Sequence, residues 1–164
     1  MTLVIRHPGS SIMFLKFTAS PTETRPIPAG RLVRMVDDRE VDTVADASSA
    51  TQRPVGWLMS KVKDAYTDLP ADALFRGDIG STDVFVGDPV GIMSGPGAVF
   101  ETDQYVDEGT DGIAAGTLLY CDDDGKLSDN DADSSVDGAQ AIALNTLTST
   151  ETAAGELLLV KSLL

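Results

Sequence analysis

Apolar residues along the chain fall in short runs broken by Gly, Pro and Asp. Asp83-Val84-Phe85-Val86 leads into Gly87-Asp88-Pro89. Val90-Gly91-Ile92-Met93 follows, then Ser94-Gly95-Pro96-Gly97, then Ala98-Val99-Phe100. Thr117–Cys121 alternates, with Leu118 and Tyr120 on one face and Leu119 and Cys121 on the other, as a half-buried strand does. Asp122-Asp123-Asp124-Gly125 then turns the chain, and a polar loop spans Ser128–Gly138. Further strands are predicted over Gln140–Leu147 and Glu156–Leu163. Turn signals every ~8–12 residues mark an all-β sandwich or barrel. One stretch has helical spacing, Leu58, Val62, Ala65 or Tyr66, and Leu69, with Pro70 ending it. The expected fold is therefore mainly β, a small barrel or sandwich with at most one or two short helices.

Residues 1–26 differ. Val4, Ile5, Ile12, Phe14, Leu15 and Phe17 form apolar stretches, and Thr18–Pro26 is polar with no periodic face. This segment reads as an extended arm and linker ahead of a domain over 27–164. Its apolar piece is either a barrel strand or an arm that adds to a neighbour's sheet edge. As an arm, residues 1–20 can be deleted and the barrel is expected to fold without them.

An internal repeat organises the rest. Ile27-Pro28-Ala29-Gly30-Arg31-Leu32-Val33-Arg34-Met35 returns as Ile113-Ala114-Ala115-Gly116-Thr117-Leu118-Leu119-Tyr120-Cys121, at an offset of 86. Without a gap, Asp37-Asp38 matches Asp123-Asp124, Ser48-Ser49 matches Ser134-Ser135, and Leu58 matches Leu144. These are 9 identities over the 32 positions from Ile27 to Leu58, against about two expected from average usage. The domain thus contains two related strand-turn units, 27–58 and 113–144. A shorter echo is Ala153-Ala154-Gly155 followed by Glu156-Leu157-Leu158-Leu159-Val160.

Composition narrows the function. The chain has 164 residues, 42% hydrophobic but only 5% aromatic, so its core rests on aliphatic side chains. Its longest strongly apolar run, Leu157–Val160, is far short of the ~20 residues of a spanning helix. Met1–Phe17 has too short an apolar centre for a secretory signal. The net charge is -14, from 20 Asp, 6 Glu, 7 Arg and 5 Lys. With no basic cluster, nucleic acid and anionic membrane are excluded as partners. Such an Asp-rich, Lys-poor surface resembles that of proteins from extreme halophiles, where salt screens the self-repulsion.

Candidate chemistry is sparse. Asp129-Asn130-Asp131-Ala132-Asp133 has the alternate carboxylates of a calcium loop. It lacks the loop's sixth-position Gly, where Ser134 stands, and its final Glu, where Gln140 stands, so a solvated loop is expected. His7 is the only histidine, and no Gly-x-Ser-x-Gly elbow occurs. Cys121, the only cysteine, excludes an intrachain disulfide, and its acidic neighbours raise a thiol pKa. The glycine-rich 91–97 segment lacks Gly-Lys-Ser/Thr and reads as strand and turn. Trp57 is an anchor for a core or a subunit interface. No catalytic residue, metal site or cofactor is expected, and the chain reads as a non-enzyme.

Ile113–Tyr120, the Asp-Gly-Lys turn at 124–126, Gln140-Ala141-Ile142-Ala143-Leu144 and Ala154-Gly155-Glu156-Leu157-Leu158-Leu159-Val160 resemble the C-terminal half of tailed-virus head decoration proteins, also called capsid cement proteins. The resemblance covers Ile113–Val160 and, through the repeat, Ile27–Leu58. It implies a small β-barrel on the capsid exterior of a virion, bound to the major capsid protein and forming homo-oligomers, trimers foremost. It also implies that neighbouring capsid subunits are clamped against packaged DNA. Together with the acidic surface it suggests a tailed virus of a halophilic archaeon. On this reading Val4, Ile5, Ile12, Phe14, Leu15, Phe17 and Trp57 contact the capsid or a sister subunit. Another virion part (a turret, fibre base or tail β domain) and an acidic β-barrel ligand-binding module remain alternatives. If the acidic surface is an adaptation to high salt, the melting temperature rises from low to molar salt. A flat or falling curve rejects that origin.

Overall fold

A computed structural model describes residues 4–7, 11–18, 26–47, 49, 51–63, 83–130 and 138–164. The first eight strands are β1 (Val4–His7), β2 (Ser11–Phe17), β3 (Leu32–Asp37), β4 (Glu40–Thr43), β5 (Pro54–Leu58), β6 (Lys61–Lys63), β7 (Asp83–Phe85) and β8 (Pro89–Ser94). The second eight are β9 (Val99–Thr102), β10 (Tyr105–Val106), β11 (Gly112–Ile113), β12 (Leu118–Cys121), β13 (Leu127–Ser128), β14 (Ala141–Ala143), β15 (Leu147–Thr148) and β16 (Leu158–Ser162). Among the described residues the one α-helix is α1 (Ser149–Ala154). The fold is thus mainly β, as its alternation predicts.

Two strand systems result. β2-β4-β3-β5-β8 closes into a barrel. A seven-stranded sheet runs β1-β9-β16-β14-β12-β13-β10. Only Asp103 and Gln104 separate β9 from β10, so this sheet curls until β10 comes back toward β9, a half-barrel. The internal repeat governs both. β3 pairs antiparallel with β4 and β5, and β12 does so with β13 and β14. Each unit is then bounded by a parallel pairing at the same repeat position, Phe17↔Val41 in one and Tyr105↔Leu127 in the other.

The barrel interior holds Phe17, Val33, Val41, Leu58, Val90 and Ile92, all fully buried. Strand alternation turns their neighbours outward. Leu32, Trp57 and Met93 leave the closed barrel on its outer side and join Phe100, Leu119, Leu127, Ala141, Ala143, Leu158 and Val160 on the half-barrel. Trp57 lies with its ring centroid 4.9 Å from that of Phe100, and its indole N–H donates to Ser162 Oγ at 3.3 Å. One barrel's outer face therefore fills the other sheet's hollow. Polar contacts rim this seam: Arg31 Nε donates to Gln104 Oε1 at 2.7 Å, Arg31 Nη1 donates to the Asp124 carbonyl, and Ala47 N–H donates to Asp123 Oδ1 at 3.0 Å.

Three expectations need correction. Residues 4–7 and 11–17 are not a free arm ahead of the domain: β1 is an edge strand of the half-barrel sheet, and β2 is a stave of the closed barrel, the barrel-strand alternative. Deleting 1–20 would remove that stave and Phe17 with it, so a folded remainder is no longer expected. The helix starting at Leu58 is also absent where it is described, because Leu58 ends β5 and Val62 centres β6, which pairs in parallel with β7. The remainder of that stretch lies outside the described residues. Leu58 and Val62 are both buried, so the spacing reflects two strands that share one core.

Gly30 and Gly116 are the same repeat position, with φ of +91° in each. They differ in surroundings. A Cβ on Gly30 would stand 2.7 Å from Thr102 Oγ1 across the seam, whereas one on Gly116 would meet nothing within 4 Å. Gly116→Ala should therefore lose only the preference for a left-handed turn, about 1 kcal/mol. Gly30→Ala should lose a further ~1–3 kcal/mol to overpacking. Chemical denaturation of the two variants measures the difference, and equal losses would refute the seam described here.

Candidate partner-binding surface

The residues expected to touch a partner are divided by the fold. Phe17 and Trp57 are each 0% exposed, Phe17 in the closed barrel and Trp57 in the seam. Neither side chain is available to another molecule, so both are corrected to core groups. Val4 and Ile5 are edge-strand residues opposite Glu101 and Phe100. Leu15 is half-buried against the barrel core. Ile12 and Phe14 do reach solvent, at 46% and 74% exposure.

β2 explains this division. It runs antiparallel to β8 from Ser11↔Ser94 to Lys16↔Pro89. Met13, Leu15 and Phe17 form its inner face, opposite Ile92, Val90 and the core, so Ile12, Phe14 and Lys16 form the outer one. Phe14 stands opposite Gly91, which offers no side chain to cover the ring. Met13, although it faces inward, is 37% exposed. The result is an apolar ridge, Ile12-Met13-Phe14, on a molecule of net charge -14.

The far end of the strand is pinned electrostatically. Lys16 Nζ contacts Glu40 Oε1 at 2.6 Å, and Thr18 Oγ1 donates to Glu40 Oε2 at 2.8 Å. The Lys16 hydrogen bond, and then that from Thr18, hold the Glu40 carboxyl below the usual carboxylate range. Beside them the Lys16 and Thr18 N–H groups donate to the Arg39 and Val41 carbonyls, joining β2 to β4.

Further apolar side chains stand on the convex side of the half-barrel, around Lys161. Leu118 pairs with Ile142, Ile142 with Lys161, and Lys161 with Val99, so these share one face. Leu118 is 45% exposed, and Leu144, next along the chain from β14, is 42% exposed. Sequence alternation assigned Leu118 to the face opposite Leu119 and Cys121, which are buried.

The chemistry-bearing groups have structural duties. Cys121 is buried, with its thiol directed to the Asp122 carbonyl. Asp129 Oδ1 accepts from the Glu108 N–H at 3.0 Å, and 131–137 of the former calcium-loop candidate lie outside the described residues. His7 is in β1, where it pairs with Val99. An open hollow of about 230 Å³ is lined by Tyr105, Asp107, Thr110, Ser149, Thr152 and Ala153. Asp107 Oδ2 accepts from Gly112 N–H and Thr152 Oγ1 there, tying β11 to α1. Tyr105 donates to the Glu156 carbonyl at 2.7 Å. Burial, then the carboxylates of Asp103, Glu156, Asp107 and Glu151, raise its pKa. Asp107 Oδ2 thus braces the walls of the hollow, whereas its buried Oδ1 has no hydrogen-bond partner. Among the described residues, no three His, Cys, Asp or Glu side chains are grouped to hold a metal, and no helix is long and apolar enough to cross a membrane.

No protein-family model matches the chain, and no curated protein matches it.

A carboxylate with a lowered folded pKa stabilises at neutral pH, and that contribution is lost as pH falls through the folded value. Protection of the Lys16 and Thr18 amides, corrected for intrinsic exchange, should therefore hold at neutral pH. It should decline only below the ordinary glutamate value of 4.5. Hydrogen exchange reads this directly, with the Leu58 amide, bonded to the Arg31 carbonyl, as the internal reference.

Proposed function

We propose that the chain is a structural virion protein that binds the outside of a capsid shell and cements neighbouring major capsid subunits. The observation that carries this reading is the Ile12-Met13-Phe14 ridge, which holds the most exposed large apolar side chain among the described residues, Phe14, on a molecule of net charge -14. Such a strip is suited to a protein partner. The strands β12, β14 and β16 carry the residues that resemble decoration proteins, and they build one wall of a rigid scaffold. A cement needs stiffness, an adhesive strip and many copies, since repetition on a lattice multiplies weak single contacts. The acidic remainder of the surface keeps decorated particles apart. A homotrimer is the assembly implied by the same resemblance, and its location would be the capsid exterior.

Purified chain, added to particles of the encoding virus that lack it, should co-sediment at a fixed copy number. The particles should then withstand more heat. An Ile12→Asp, Phe14→Asp double variant should keep its melting temperature within a few degrees, since exposed changes alter stability by ~0.5 kcal/mol each, and should fail to decorate. Density on tails or turrets, or none at all, would overturn the cement role.

A further inference from the structure

The loop that joins β10 to β11 reads Asp107-Glu108-Gly109-Thr110-Asp111-Gly112. Calcium loops place acids at their first, third and fifth positions and a glycine at the sixth, where the chain turns sharply. Here the first and fifth are Asp107 and Asp111, and the sixth is Gly112. Gly112 has φ +90°, and a Cβ on it would overlap the Leu147 carbonyl, so the turn requires glycine. Its N–H donates to Asp107 Oδ2 at 2.9 Å and closes the loop into a ring. Asp107 Oδ2 also accepts from Thr152 Oγ1 at 2.8 Å. The other oxygen, Oδ1, is buried and has no hydrogen-bond partner. A carboxylate oxygen stripped of water is costly unless another group replaces that water.

The third position is Gly109, which carries no ligand. Asp129 supplies one from the side. β10 and β13 pair in parallel up to Val106↔Ser128, so Asp107 and Asp129 are the next residues on adjacent strands. Asp129 Oδ1 accepts from the Glu108 N–H at 3.0 Å. Its Oδ2 lies 3.7 Å from the place of a Cβ on Gly109, and Asp107 Oδ1 lies 4.0 Å from the same place. Two carboxylate oxygens thus close on the spot that a third-position side chain would fill. Side by side, like charges repel unless a cation joins them. We infer that Asp107 Oδ1 and Asp129 Oδ2 hold a calcium ion. Asp111 is exposed, and among the described residues no third acid joins the pair. Neutral oxygens and water therefore complete the shell, as the flexible coordination of calcium by about 6–8 oxygens allows. Magnesium, which demands a near-ideal octahedron and gives up its water reluctantly, is the poorer fit. With two carboxylates the Kd belongs in the range of weak calcium modules, about 0.1–1 mM. The ion fastens the β10–β11 loop to β13 while Asp107 Oδ2 holds α1, and the site does not depend on the cement reading.

Calcium chloride is titrated into the full chain, first stripped with a chelator, in potassium chloride at about 1 M, where a Debye length of ~3 Å removes loose attraction to the acidic surface. Calorimetry should show one ion per chain. At ten times its Kd, calcium should lower the unfolding equilibrium constant about tenfold and slow exchange of the Gly112 amide. Asp107→Asn keeps an oxygen for Gly112 and Thr152, and Asp129→Asn keeps one for Glu108. Each should fold and bind calcium at least about tenfold more weakly, because charge count sets affinity. Asp38→Asn, an exposed acid between β3 and β4, should bind as the parent does. Magnesium at the same concentration should stabilise less. No heat and no stabilisation would leave Oδ1 to water and overturn the site. So would a calcium response that Asp38→Asn weakens as much as Asp107→Asn, or one that magnesium matches. If one Asn variant does not fold, the other and the parent's Gly112 amide decide.

Discussion

The half-barrel cannot bury its own concave face, and Trp57 is what makes that face a core. β14 lines the hollow with Ala141 and Ala143, side chains too small to fill it. The indole enters from the closed barrel, packs against Phe100 and satisfies its N–H on Ser162. A buried aromatic of this size removes roughly 150–250 Å² from water. That is on the order of 4 kcal/mol or more at ~25 cal/mol per Å². The two strand systems are therefore one cooperative unit in energy, although each has its own set of hydrogen-bonded strands.

Duplication supplied the parts, and the seam broke their equivalence. The turn after the first repeated strand is left-handed in both units, with Arg39 at φ 60° and Gly125 at φ 69°. These are matching repeat positions. Arg39 is exposed and tolerates the conformation with its side chain in solvent. At Gly125 a Cβ would overlap the Leu32 carbonyl across the seam, so only glycine fits. Gly30, pressed against Thr102, is the reciprocal case on the other unit.

The strands and turns were legible because alternation and glycine report local geometry. β7, β8, β9, β12 and β16 fall within a residue or two of their expected places, and Gly87, Gly95 and Gly97 adopt positive φ in the expected turns. α1 was missed although it carries a written signal: Thr148 and Glu151 form a capping box, with the Glu151 carboxylate accepting from Thr148 N–H at 2.7 Å. Six polar and small residues give no apolar period to notice. The location of Phe17 and Trp57 was illegible for another reason. Alternation says that a side chain faces one side of a sheet. It does not say whether that side meets water, a partner or more of the same chain, and here Phe17 meets the interior of its own closed barrel and Trp57 a second sheet.

The strand pairings also set the order in which the chain can mature. β2 finds β8 only across 73–83 positions of sequence, and β1 finds β9 across 92–97. Long-range pairing of this kind makes for slow folding, because loop closure precedes any reward. A nascent chain would emerge with Ile12 and Phe14 bare well before either stave could close, a state open to misassociation on crowded ribosomes. The abundance of aspartate has a second use at that moment: it keeps unfinished chains repelling one another until the barrel shuts.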